Sequence, residues 1–166
     1  MDNQPGSYAL ILFADKPFDI SVGKLGRFRG NRGHYIYCGS AFGPGGVAAR
    51  VRHHRTITRR PHWHIDYLRQ VTDLIDIWYC HDPLNREHDW TRLFAAHDGA
   101  LLPSPGFGAS DCRCTSHLVA LDNIPLLPDF QQKLLAAIPD HWTDPWGQPI
   151  RSDLLHQAEP GSGTST

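Results

Sequence analysis

Three short apolar runs, each bounded by residues that end regular structure, most constrain the fold of this 166-residue chain. They span residues 8–14, 35–38 and 74–80, and a fourth run covers residues 117–121. Apolar runs of this length are typical of buried strands, and they are too short to span a bilayer. The sequence therefore predicts a small sheet, and it indicates no membrane partner.

Helices are predicted between and after these strands, and their expected ranges are 47–57, 62–70, 83–97 and 128–138. The third helix is placed by Asp82 as its N-cap, Pro83 in its first turn and Gly99 at its end. Residues 15–34 contain four glycines and a Lys-Pro step. We expect this segment to be a loop with a short strand near residues 20–22.

The net charge of −1 conceals an uneven distribution of charge along the chain. Residues 20–65 contain nine basic residues and no acidic residue, whereas the rest of the chain holds seven basic and 17 acidic residues. Such a segment is typical of proteins that bind a phosphate backbone, and a solvated surface is the alternative. The residues expected to contact nucleic acid are Lys24, Arg27, Arg29, Arg32, Arg52, Arg55, Arg59 and Arg60.

The cysteine content and the N-terminus indicate the cellular compartment. Four cysteines are too few for a disulfide scaffold in a chain of this length. The first residues show no basic stretch followed by an apolar core, so no secretory signal is predicted. We therefore expect a cytoplasmic protein.

The first predicted helix turns two polar residues toward the sheet. At about 100° per residue, Arg50 and His54 lie on the same face as Val47 and Val51, together with Ile57. A buried arginine needs a partner, so an anion is expected to meet Arg50. The alternative is an internal ion pair between Arg50 and a carboxylate, and the nearest acids in sequence are Asp19 and Asp66.

A carboxylate occupies the apolar side of the third predicted helix. Glu87 shares a face with Trp90 and Phe94 at i, i+3 and i+7, so it needs a compensating cation. Mg²⁺ suits a site with one carboxylate that is completed by water and a substrate phosphate. The alternative is a salt bridge from Glu87 to Arg50 or to another nearby base.

Two tyrosine motifs resemble the signature of the GIY-YIG nuclease superfamily. Gly6-Ser7-Tyr8 is similar to its first half, with a changed middle residue, and residues 37–41 with the later Arg50-x-x-x-His54 are similar to its second half. A poorly characterised subgroup also shares the blocks at residues 62–68 and 106–118. The resemblance implies an α+β fold with a small antiparallel sheet of three core strands, one or two extra strands and flanking helices.

The resemblance also implies a metal-dependent endonuclease that hydrolyses DNA phosphodiester bonds, and it assigns roles to five residues. Tyr8 would be the general base or its close partner, and Tyr37 would orient the site. Arg50 would stabilise phosphate charge, and His54 would lower the pKa of a tyrosine or relay its proton. Glu87 would hold a single divalent ion, Mg²⁺ or Mn²⁺.

The chain departs from the usual family pattern in three ways. The two tyrosine motifs are 29 positions apart, which makes residues 15–34 an insertion, expected to be an extra hairpin or loop. The glycine-rich turn after residue 41 lengthens the path to Arg50, and the asparagine of many members has no clear counterpart. The resemblance covers residues 6–121. We expect a nuclease-like domain at residues 1–122, a helical extension at 123–156 and a disordered tail at 157–166.

Two groups of histidines, cysteines and acids leave their roles open. Cys112, Cys114 and His117 are candidate zinc ligands, but their Cys-x-Cys spacing favours core thiols. A zinc site would need a fourth ligand, and the candidates are His62, His64, Cys38 and Cys80. His62 and His64, with Asp66 nearby, could supplement the active site or simply pack at the start of a helix.

Three functions follow from these features. The first is a structure-selective endonuclease of DNA repair or processing. The second is a nucleic-acid-binding module that has lost catalysis, which the changed first motif favours. The third is a zinc-stabilised interaction protein that is built around the cysteine block.

Overall fold

The computed structural model describes residues 1–143 and 147–153. The strands are β1 (Ser7–Ala14), β2 (Phe18–Val22), β3 (Gly26–Gly30), β4 (Gly33–Ser40), β5 (Asp73–Cys80), β6 (Leu118–Leu121) and β7 (Arg151–Ser152). The helices are α1 (Gly46–Arg55), α2 (His64–Leu68), α3 (Glu87–Ala95) and α4 (Leu127–Ala137). The predicted α+β class is confirmed. Within the described part of the chain, no helix is long and apolar enough to cross a membrane.

A five-stranded antiparallel sheet with the order β6-β4-β1-β5-β7 forms the centre of the molecule. β1 pairs with β4 on one side and β5 on the other, so these three strands are the predicted core strands, and β6 and β7 are the two extra ones. The register places Tyr8 opposite Gly39. A Cβ at Gly39 would lie 2.5 Å from the Tyr8 ring, so only glycine fits there without displacement.

The two faces of the sheet carry separate apolar cores. Alternate residues of β1 point to opposite faces, so Leu10 and Leu12 pack with α1 and α2 while Ile11 packs with α3 and α4. Phe130 of α4 is buried and stacks on Phe94 of α3 with ring centroids 4.1 Å apart. The segment predicted as a helical extension therefore contributes to the second core. The predicted disordered tail, residues 157–166, lies outside the described residues.

The segment at residues 15–34 contains a β2–β3 hairpin, so the predicted hairpin is confirmed and the alternative of a loop with one short strand is wrong. Val22 and Phe28 of this hairpin are buried in the first core. Gly26 has a φ of 90°, a conformation that favours glycine and that turns the chain into β3. The long gap between the two tyrosine motifs is thus filled by an ordered element that covers one face of the sheet.

Several helix boundaries differ from the sequence prediction; α2, for example, spans His64–Leu68 rather than residues 62–70. α3 begins at Glu87 rather than residue 83, because the Asp82 carboxylate accepts the Leu84 backbone N–H at 2.8 Å and the Arg86 side chain at 2.9 Å. These bonds hold residues 82–86 in a turn. α1 ends at Arg55 because Thr56 is extended, so Ile57 is exposed and does not face the core.

Candidate active site

A cleft of about 430 Å³ brings the five predicted catalytic residues together. Tyr8 comes from the start of strand β1, Tyr37 from β4, Arg50 and His54 from α1, and Glu87 from the start of α3. α1 packs on the first face of the sheet, whereas the buried residues of α3 pack on the second face. Glu87 lines the cleft because it is the first residue of α3. Five residues from four separate elements therefore line one concave site.

Tyr8 and His54 form a buried hydrogen-bonded pair in this cleft. The Tyr8 hydroxyl and His54 Nε2 are 2.8 Å apart, and each residue is at most 3% exposed. Burial is the main cause that raises the pKa of Tyr8 well above its usual range, and the nearby Tyr37 is the second cause. Burial is the main cause that lowers the pKa of His54 to about 3, and the nearby His53 is the second cause. The two groups are therefore a neutral phenol and a neutral imidazole near pH 7.

The second ring nitrogen of His54 is also unusual. His54 Nδ1 is buried and has no hydrogen-bond partner in the described part of the chain. A buried polar atom without a partner is costly, and such atoms concentrate at functional sites. The arrangement leaves the imidazole able to exchange a proton only through Nε2, which faces Tyr8.

Arg50 faces the cleft as a cation without an acidic partner. Its guanidinium stacks over the Trp63 ring, 4.3 Å from the centroid, and no ion pair to Arg50 occurs among residues 1–143 and 147–153. The predicted alternative of an internal ion pair is wrong. Asp19 pairs with Arg27, and Asp66 bonds His53 Nε2 at 2.9 Å. The stacking holds a planar guanidinium ready for an anion.

Three oxygen-bearing residues also line the cleft, and they are Glu87, Ser110 and Asp111. The Glu87 side chain is 15% exposed, and it accepts a hydrogen bond from Asn85 Nδ2 at 3.2 Å. The predicted alternative is a salt bridge from Glu87 to Arg50 or to another nearby base. No Glu87–Arg50 pair occurs in the described residues, but His88 Nε2 lies 3.3 Å from the Glu87 carboxylate. Two carboxylates and hydroxyl oxygens are the donor set that Mg²⁺ and Mn²⁺ prefer, so these residues fit such an ion.

Tyr37 lies beside Glu87 and Tyr8. Burial is the main cause that raises the pKa of Tyr37 above the usual range for tyrosine, and the charge of Glu87 is the second cause. The charge of Arg50 opposes this shift. Its ring packs edge-on against Phe107 at 6.0 Å. Tyr37 is therefore a neutral hydroxyl held in a fixed position by its apolar contacts.

The predicted supplementary residues divide into two roles. His62 and His64 line the cleft, and His64 Nδ1 accepts the Gly108 backbone N–H at 3.0 Å, which holds the loop that carries Asp111. Asp66 is buried away from the cleft lining and accepts the backbone N–H groups of residues 62 and 63, both at 3.0 Å. Asp66 thus fixes the start of α2, in addition to its bond to His53.

The predicted nucleic-acid-binding residues fall into two groups, those with a partner in the structure and those without an ion pair in its described part. Arg27 and Arg29 pair with Asp19 across the hairpin at 2.5 and 3.2 Å, Arg55 pairs with Asp153, and Arg32 lies over the Phe13 ring. The remaining four are exposed and form no ion pair in the part of the chain that is described; they are Lys24, Arg52, Arg59 and Arg60. Three of these four follow Arg50 within ten positions.

Sequence reasoning gave no role to three residues that line the cleft or to Asn85 beside it. Trp63 and the Ser110–Asp111 pair lie in the two sequence blocks at 62–68 and 106–118, in which only the histidines, Asp66 and the cysteines had predicted roles. Asn85 contacts Glu87 from the turn before α3. The sequence prediction placed Asn85 inside the helix, because it started that helix at residue 83. Their positions depend on loops, whose paths no periodicity encodes.

A second cleft of about 390 Å³ lies at the β5–β7 edge of the sheet. Its lining includes Tyr79, His81 and Trp142. His81 Nε2 lies 3.1 Å from the Asp2 carboxylate, and the rings of Tyr79 and His81 contact each other with centroids 5.7 Å apart. The first cleft differs in that its tyrosine and histidine, Tyr8 and His54, share a hydrogen bond.

The cysteine block gathers next to the cleft, with a fourth ligand that was not among the predicted candidates. The ligand atoms of Cys112, Cys114 and His117 lie within 4.8 Å of one another and of a nitrogen of His88. His88 is the second residue of α3, directly after Glu87. The thiols are free.

A family model described as "Domain of unknown function DUF123" matches residues 7–138 of the chain. This range runs from the start of β1 to the residue after α4 and contains every residue that lines the 430 Å³ cleft. No curated protein and no solved structure matches the chain.

Proposed function

The chain belongs to the family described as domain of unknown function DUF123, and we propose that it is a GIY-YIG-type, metal-dependent endonuclease that hydrolyses DNA phosphodiester bonds. The observation that carries the proposal is the convergence in one cleft of an unpaired arginine, a carboxylate and a hydrogen-bonded tyrosine–histidine pair. Each group supplies one requirement of phosphodiester hydrolysis: charge stabilisation, metal binding and proton transfer.

Proton transfer is assigned to Tyr8 and His54. Tyr8 Oη accepts a proton from the attacking water while its own proton passes to His54 Nε2, 2.8 Å away. The low pKa of His54 opposes this transfer in the free protein; burial is its main cause, His53 comes next, and the positive charges of Arg50 and Arg69 add to it. A bound phosphate offsets those positive charges and raises the proton affinity of the imidazole.

Phosphate binding is assigned to Arg50. Its guanidinium has no acidic partner among the described residues, so it can donate to a nonbridging phosphate oxygen without breaking any ion pair seen there. Stacking on Trp63 limits its rotamers before substrate binds, which reduces the entropy lost on binding. The Tyr37 hydroxyl, fixed beside Tyr8, orients the water or the phosphate.

Glu87 and Asp111 are the residues that would hold a divalent cation, Mg²⁺ or Mn²⁺. A bound cation supplies charge stabilisation to the phosphate oxygens in the transition state. Asn85 and His88 flank the Glu87 carboxylate and limit its orientations.

DNA is the proposed partner, and its backbone is the proposed contact. The exposed, unpaired cations Arg52, Arg59 and Arg60 are close in sequence to Arg50 and would bind phosphates in a salt-sensitive way that does not depend on sequence. We propose that the enzyme selects its substrate by DNA structure. A role in DNA repair or processing in the cytoplasm is part of the same proposal.

A cleavage assay with paired variants tests the proposal. Wild type should cut at least one of labelled single-stranded, duplex or branched DNA when Mg²⁺ or Mn²⁺ is present. Arg50→Ala and Glu87→Gln should lose that activity. The matched controls Arg92→Ala and Asp98→Asn lie outside the cleft and should retain it. Binding of every substrate without cleavage would reject the enzyme and favour a module that has lost catalysis.

A further inference from the structure

We propose that Cys112, Cys114, His117 and His88 form a structural zinc site beside the cleft. The two cysteines and His117 belong to the segment that leads into β6, whereas His88 belongs to α3, so the ligands come from two separate parts of the chain. All four ligand atoms lie within 4.8 Å of one another. The site goes beyond the proposed nuclease activity and does not depend on it.

The distances are close to those of a tetrahedral zinc site. Zn–S and Zn–N bonds of about 2.3 and 2.0–2.1 Å place neighbouring ligand atoms roughly 3.3–3.8 Å apart. Cys112 Sγ and His117 Nε2 are already 3.4 Å apart, and the His88 and His117 rings are 5.1 Å apart. Contraction by about 1.5 Å at most would complete the tetrahedron.

The donor set favours zinc over the cation proposed for the cleft. Two thiolates and two imidazoles are soft or borderline ligands, which suit Zn²⁺ and not Mg²⁺. The single residue between Cys112 and Cys114 is fewer than in common zinc motifs. Here the other two ligands come from His117 and from a distant helix, so the fold rather than the local spacing assembles the site.

The surroundings of His117 and His88 support their role as zinc ligands. The backbone of His117 is fixed, since its N–H donates to Phe107 and its carbonyl accepts the Cys38 N–H at 3.0 Å. The side chain of His117 is buried. His88 Nε2 is buried and makes no hydrogen bond in the described residues, although it lies 3.3 Å from the Glu87 carboxylate. An imidazole that binds zinc through one nitrogen and faces a carboxylate with the other is a recurrent arrangement at zinc sites.

The location of the site gives zinc a positioning role. Glu87 directly precedes one proposed ligand, His88, and Asp111 directly precedes another, Cys112. Zinc would therefore join the loop before β6 to the first turn of α3 and fix the separation of the two carboxylates that line the cleft. The four zinc ligands are positioning residues and do not touch the substrate.

Metal analysis of the untagged full chain tests this proposal. We expect about one equivalent of zinc per chain, as four protein ligands imply a single closed site. Cys112→Ser/Cys114→Ser and His88→Gln should lose the zinc. Cys80→Ser, a buried thiol elsewhere, and His97→Gln, just after α3, are the matched controls and should keep it.

A second measurement remains decisive if the variants fail to fold. Wild-type protein refolded with Co²⁺ should show the absorption of a tetrahedral site together with thiolate-to-cobalt charge transfer. The proposal is overturned by wild-type protein without zinc, by zinc that survives in the double cysteine variant, by Co²⁺ that binds without the thiolate band, or by a Cys112–Cys114 disulfide in the non-reduced protein. Zinc found in a protein without nuclease activity would support this site and contradict only the proposed function.

Discussion

The buried His54 should make the stability of the protein depend on pH, and His54→Gln should remove that dependence. In the folded state, burial and the nearby His53 hold the pKa of His54 at about 3, although the Asp66 carboxylate opposes this effect. In the unfolded chain, the same imidazole titrates near pH ~6.5. The unfolded state therefore binds more protons between these values, so stability is fully present above about pH 6.5 and falls as the pH decreases toward 3.

The expected magnitude follows from these two pKa values. At pH 5, the unfolded histidine is almost fully protonated and the folded one is not, which costs about 2 kcal/mol relative to pH 8. Substitution by glutamine also removes the bond to Tyr8, but that loss is the same at both pH values. The pH-dependent difference therefore isolates the buried imidazole.

Urea unfolding followed by tryptophan fluorescence at pH 8 and pH 5 measures this difference. Wild type should lose about 2 kcal/mol more than His54→Gln over this interval. His97→Gln, a partly exposed position outside the cleft, is the control and should follow wild type. Equal pH dependence in wild type and His54→Gln would refute the assignment of a neutral, buried histidine.

Four further predictions follow from packing, charge and metal binding. Gly39→Ala should lower the free energy of unfolding by about 1–3 kcal/mol because its Cβ would meet an aromatic ring at 2.5 Å, whereas Gly43→Ala has open space; equal urea midpoints would contradict this. Phe130→Ala should lower the free energy of unfolding by about 3–5 kcal/mol, whereas Leu126→Ala, at an exposed position, should lower it much less. Similar losses in the two variants would contradict the packing of α4 in the second core. Arg50→Ala should lower the free energy of unfolding by about 1 kcal/mol at most, because it removes the stacking on Trp63 but no ion pair of the described residues, and a loss above about 2 kcal/mol would indicate a structural role. Chelation with EDTA should stop DNA cleavage and added Mg²⁺ should restore it, and cleavage that persists in EDTA would contradict a metal-dependent mechanism.

The core of the fold could be predicted from the sequence because period-two and 3.6-residue patterns encode it directly. The apolar run of β1 and the spacing of Arg50 and His54 each specify a face without knowledge of the rest of the chain. In the structure Leu10 and Leu12 lie in the first core, and Arg50 and His54 line the cleft. Glu87 reaches the predicted cleft although its helix begins four residues later than expected.

The remaining features depend on contacts between distant segments. The pairing of Arg27 with Asp19 requires the register of the β2–β3 hairpin, which the glycines of this segment do not define. The meeting of His88 with Cys112 requires the path of a long loop. Asp82 is an N-cap residue by type, but its bond to Arg86 makes a turn instead. Local patterns do not distinguish these outcomes.

A double-mutant cycle on DNA cleavage tests the central claim that Tyr8 and His54 act as one proton-transfer unit in a nuclease cleft. The single-turnover cleavage rates of wild type, Tyr8→Phe, His54→Gln and the double variant are measured with Mg²⁺ at one pH. Since the two groups share one step, each single variant and the double variant should slow cleavage by a similar factor, about 10²-fold or more. Cleavage at the wild-type rate in either single variant, or a double variant slowed by the product of the two single effects, would contradict the account.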